Sequence, residues 1–77
     1  MGVAKVKVAK EFTHYQTTES DLWDITYPMK MVPVVEVLIN NNGQLEKIIA
    51  FKVERVTDSR IKIYFSEPRS GQAHLIG

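Results

Sequence analysis

Apolar and polar positions alternate with a period of two along much of this chain, and each such stretch predicts a β-strand. Residues 3–8 read Val-Ala-Lys-Val-Lys-Val, with Ala4, Val6 and Val8 on one face and Lys5 and Lys7 on the other. Phe12 to Thr18 is rich in aromatic and β-branched residues, and the polar cluster Glu19-Ser20-Asp21 that follows predicts a turn. The cleanest alternation is Leu22-Trp23-Asp24-Ile25-Thr26-Tyr27, where Trp23, Ile25 and Tyr27 share one side. Trp23 is the leading core candidate. Pro28 and Pro33 bracket Met29 to Val32, and because proline cannot donate to a ladder, that piece predicts a loop or bulged edge.

Val34 to Ile39 predicts the next strand, and it runs into Asn40-Asn41-Asn42-Gly43, whose Asn-Gly pair favours the positive φ values of a tight hairpin. Residues 44–57 fit two patterns. Leu45, Ile48, Ile49, Val53 and Val56 form a helical stripe, whereas Ile49, Phe51 and Val53 form a strand face. The hairpin turn wants an antiparallel return partner, and the β-branched content from Ile48 onward favours strand. After a turn at Thr57 to Arg60, Ile61, Ile63 and Phe65 point inward, with Lys62 and Tyr64 outward. Ser66 to Gly71 reads as a loop, and Gln72 to Ile76 as a closing strand. About six or seven short strands separated by turns predict an all-β fold, a small antiparallel sandwich or barrel. The expected organisation is an extended N-terminal arm at residues 1–10 and a single β-sandwich domain at residues 11–77.

The size of the chain sharpens this picture. At 77 residues the core is thin, and domains this small usually enlist disulfides, a metal or a partner subunit. The sequence contains no cysteine, which removes disulfides and thiolate metal sites, and His14 and His74 lack the close spacing of a metal site. No cofactor is expected, and oligomerisation is the remaining support. A net charge of +1 with dispersed Lys and Arg argues against nucleic acid as partner, and no apolar run is long enough for membrane insertion as a helix.

The chemistry of the chain is sparse. His14 and His74 could act with Asp21, Asp24 or Asp58, but both sit beside aromatic or apolar strand residues, where a histidine is more often a surface or packing residue, and the Ser66–Ser70 loop lacks a nucleophile elbow, so the chain reads as a non-enzyme. Surface aromatics are the more informative residues. Tyr15, Tyr27 and Tyr64 are candidate contact residues, Tyr64 because it faces away from Ile63 and Phe65, and Met29 and Met31 are adaptable contacts near the prolines. Val3, Val6 and Val8 join them as interface candidates, because an arm of this pattern is suited to pairing with a neighbouring protomer's sheet.

The order Trp23-Asp24-Ile25-Thr26-Tyr27, Pro33-Val34-Val35-Glu36-Val37, Asn42-Gly43, Val53–Thr57, Ile61–Phe65 and Pro68–Ala73 resembles a small β-module found at the ends of phage tail-fibre and other virion structural proteins. Tyr27-Pro28-Met29-Lys30-Met31 stands where that module carries His-Asn-Leu-Gly, so no role passes to those positions. The resemblance implies a phage virion structural protein, a fibre tip, decoration or connector, made in the host cytoplasm. Its implied partners are copies of itself and other virion proteins. A carbohydrate- or host-receptor-binding module of the same fold is the alternative, and a small nucleic-acid-binding barrel the third.

Overall fold

The computed structural model describes residues 10–77, so the expected N-terminal arm up to residue 9, with Val3, Val6 and Val8, lies outside the described residues. The described chain is all β: five antiparallel strands in one open sheet, and no helix. The strands are β1 (Glu11–Thr26), β2 (Val34–Asn41), β3 (Gln44–Ile48), β4 (Lys52–Thr57) and β5 (Arg60–Ile76). Their order is β1-β5-β2-β3, with β4 also paired to β5. Strand β5 is therefore central. Along one side it holds β1, and along the other it holds β4 against its first half and β2 against its second.

Five strands stand where six or seven were expected, because two of the predicted turns are bends inside long strands. Glu19-Ser20-Asp21 does not reverse the chain. Register shifts between Gln16 and Ser20 and between Ser20 and Leu22 mark a bulged corner in β1, with Ser20 opposite Arg69. The Ser20 hydroxyl accepts from the Leu22 N–H at 3.2 Å and donates to the Leu22 carbonyl at 2.8 Å, occupying backbone groups at the point where the ladder shifts. Ser66–Gly71 is likewise part of β5, with Pro68 at the bend, where its missing N–H costs no ladder bond.

The bend folds the sheet over on itself. Phe12 and Tyr27 are fifteen positions apart, which along a straight strand is roughly 50 Å. Their ring centroids are 6.4 Å apart, and those of His14 and Trp23 are 6.1 Å apart. One arm of the folded sheet contains the second half of β1, the first half of β5, and β4. The other contains the first half of β1, the second half of β5, β2 and β3. Between them lie Trp23, Ile25, Ile61, Ile63 and Phe65 from one arm and Val37, Ile39, Ala73 and Leu75 from the other.

Trp23 sits at the corner with no exposed surface. Its indole N–H is shared between the carbonyls of Ser20 at 3.1 Å and Arg69 at 3.0 Å, one on each long strand. The Phe65 ring packs on it at 4.6 Å between centroids. The predicted hairpin is present: Asn42 (φ 54°) and Gly43 (φ 85°) form a two-residue turn with both central φ values positive, and the Asn40 side chain accepts from the Gly43 N–H at 3.0 Å. Residues 44–48 and 52–57 are strand, as the return-partner argument expects, but residues 49–51 interrupt the run where the chain crosses from one arm to the other, so Ile49 and Phe51 do not share a strand face with Val53.

Candidate interaction surface

Among the described residues the sheet has an open edge on its β3 and β4 side, since there β4 pairs only with β5 and β3 only with β2. Register assigns the faces of β4. Val53 lies opposite Ile63 and Arg55 opposite Ile61, so both are on the core-facing side. Lys52 lies opposite Tyr64 and Glu54 opposite Lys62, on the outer side. No described strand lies beyond β4, and Val53 on the core-facing side of its edge is 46% exposed.

The short link between β3 and β4 enlarges this opening. It passes from one arm of the sheet to the other in three residues, and the Phe51 N–H is held by the Tyr64 carbonyl at 3.0 Å. Ala50 packs against the core, while Ile49 is 97% and Phe51 80% exposed. These two side chains, with Ile48, Phe65, Ser66 and Arg69, line a shallow depression of about 320 Å³. The result is a contiguous apolar surface beside a row of unpaired strand backbone, a combination that marks association sites.

The outer face of the same arm is charged and internally paired. Arg60 grips Asp24 with two hydrogen bonds, at 2.8 and 2.6 Å, and this guanidinium holds the Asp24 carboxyl below the ordinary carboxylate range. Tyr64 donates to Glu54 at 2.7 Å, which with partial burial pushes its phenol above the usual value, and the Lys52 ammonium lies 5.3 Å from its ring centre. Tyr64 does face away from Ile63, but both its hydroxyl and its ring have partners within the chain.

Two of the sequence-derived contact candidates are core residues. Tyr27 continues the inward alternation of Trp23 and Ile25, is buried, and donates to the Met31 carbonyl at 3.2 Å. Met31 is buried beside it. The segment is tied to the β4–β5 turn by Tyr27 N–H to Ser59 carbonyl and Met31 N–H to Asp58 carbonyl, both 2.9 Å. Met29 is half-buried against the core, its carbonyl accepting from Ser59 Oγ at 3.0 Å. The prolines thus frame a lid over one end of the core, and a thin core has drawn in these large side chains.

Tyr15 is exposed, at 65%. It shares the outer face of the other arm with Gln72 and Leu38, and borders a shallow depression of about 440 Å³ lined also by Asn40, Leu45 and Gly71. The histidines lie on opposite faces: His14 points inward, 2.8 Å from Gln16, and His74 lies on the outer face, 3.1 Å from Gln72.

The residues that sequence reasoning missed are Ile49, Phe51 and Val53. Their strand-face spacing was visible, but that spacing predicts a buried stripe and not an uncovered one. No family model matches the chain, and no curated protein or solved structure is significantly similar to it.

Proposed function

We propose that this chain is a structural module of a phage virion that acts through protein–protein contacts and not through catalysis. In this proposal it is a small two-layered β-sandwich with an extended arm at residues 1–10, assembled with copies of itself and with other virion proteins. The observation that carries the reading is the uncovered apolar run Ile49, Phe51 and Val53 beside the open β4 edge. A domain of 77 residues has little core to spare, and association covers such a surface where water otherwise meets it. The strand pattern of residues 3–8, with Val3, Val6 and Val8, supplies a second contact element suited to adding to a neighbour's sheet edge.

Light scattering on the purified chain is expected to give the mass of an oligomer, and deletion of residues 2–10 to shift the population toward monomer at equal concentration. A full-length chain that stays monomeric at high micromolar concentration sinks the reading.

Exposed Tyr15, flanked by Gln72 and Asn40, favours a second reading in which the module also holds a glycan or host receptor, since sugars stack on aromatic faces and bond to amide side chains. A glycan array is expected to return signal that Tyr15→Ala abolishes. No signal from the intact chain removes this reading and leaves the first untouched.

A further inference from the structure

The open edge of β4 is self-complementary, and we propose that it pairs with β4 of a second copy, antiparallel about a twofold axis at Val53. This rests on the assembly reading above and specifies its contact. Two copies joined edge to edge by a twofold axis perpendicular to the sheet keep their faces aligned. A residue can then lie opposite only a residue of its own face, so one residue sits on the axis and meets its own copy.

The straight part of β4 offers four such centres, Lys52, Val53, Glu54 and Arg55, before the register shift between Arg55 and Thr57. Centring on Lys52, Glu54 or Arg55 places two like charges directly opposite each other, which is unfavourable. Centring on Val53 does the reverse. Val53 meets Val53 of the second copy, and Lys52 meets Glu54 in two symmetric pairs on the outer face. Phe51 meets Arg55 in two symmetric pairs on the core-facing side, an aromatic against a guanidinium.

The pairing uses what the fold leaves open. It gives partners to the unpaired β4 backbone, doubles the three-stranded arm formed by β1, β5 and β4 into one continuous sheet, and covers Phe51 and Val53. Lys52 and Glu54 are already held on the outer face by the Tyr64 ring and hydroxyl, so little ordering remains for the ion pairs to impose.

The test exploits a chain without cysteine. Residues directly opposite in an antiparallel pair have Cα atoms about 4.5–5.5 Å apart, within the range a disulfide spans. Under mild oxidation Val53→Cys is expected to convert most of the chain into a disulfide-linked dimer, and Leu45→Cys, on the β3 part of the same open side, to stay unlinked. Glu54→Lys, which sets Lys against Lys twice, is expected to weaken the dimer about tenfold. Lys52→Glu with Glu54→Lys restores it, and Tyr64→Phe, which loses the same Glu54 hydrogen bond but no charge, weakens it far less than Glu54→Lys does. Circular dichroism confirms that each variant is folded. An oligomer in which position 53 fails to cross-link, or links only through position 45, overturns the β4 pairing while the assembly reading stands; a monomeric wild type overturns both.

Discussion

Trp23→Ala is expected to lower stability by about 3–5 kcal/mol, the usual cost of emptying a large aromatic site in a core. A chain of 77 residues has on the order of 4–12 kcal/mol in total, so this variant is partly or wholly unfolded at room temperature. Trp23→Phe separates the indole's two roles. It keeps most of the buried surface and the contact with Phe65, but leaves the Ser20 and Arg69 carbonyls without their shared donor. A further loss of about 1–2 kcal/mol is expected from that alone. Urea denaturation followed by far-ultraviolet circular dichroism measures both, because each variant removes the chain's one tryptophan and with it the fluorescence signal. If Trp23→Phe matches the wild type within about 0.5 kcal/mol, the indole N–H does not fasten the corner.

Gly71→Ala is the second large effect. Gly71 has φ +151°, a region that side chains other than hydrogen rarely occupy, and a Cβ there would lie 2.0 Å from the Leu38 carbonyl oxygen and 2.8 Å from Ile39 Cα. Both neighbours are backbone of β2, so no side chain can swing aside, and the methyl must push β2 away from β5. Strain and crowding together are expected to cost about 3 kcal/mol or more. Gly43→Ala is the matched control: its φ is +85°, but the space around it is empty, so only the conformational cost of about 1 kcal/mol applies. Equal losses in the two variants would show that the contact with β2 contributes nothing.

Most of the strand pattern was legible because it is local. Asn42-Gly43 adopts positive φ without help from elsewhere, and the inward sets Trp23-Ile25-Tyr27 and Ile61-Ile63-Phe65 follow from alternation. Alternation also places Tyr27 in the core, and it outweighs the surface-aromatic expectation for that residue. What was not legible depends on distant partners. A polar cluster such as Glu19-Ser20-Asp21 ends a strand or merely bends it according to what lies opposite, and here that is Arg69, far along the chain. The candidate surface was hidden for the same reason. Ile49, Phe51 and Val53 carry an inward spacing, but the chain crosses between the arms at residues 49–51, which leaves Ile49 and Phe51 outside any strand, and no described strand covers Val53 beyond β4.

The central place of β5 also sets the order in which the molecule can come into being. It is the last of the five strands to be synthesised, yet β1, β2 and β4 all pair with it, and the outermost pair joins Glu11 to Ile76. Until β5 emerges, the β2–β3 hairpin is the one pair among the described strands that can form, and the strands carrying Trp23, Val37 and Ile39 lack the partner that sets them face to face. Pairings so distant in sequence are slow, with rates in the millisecond-to-second range for such topologies. The nascent chain therefore carries apolar strands for most of its synthesis, and the open β4 edge acquires its geometry only when Arg60–Tyr64 docks beside it. Association through that edge accordingly waits for Arg60–Tyr64 to dock, so that folding times assembly.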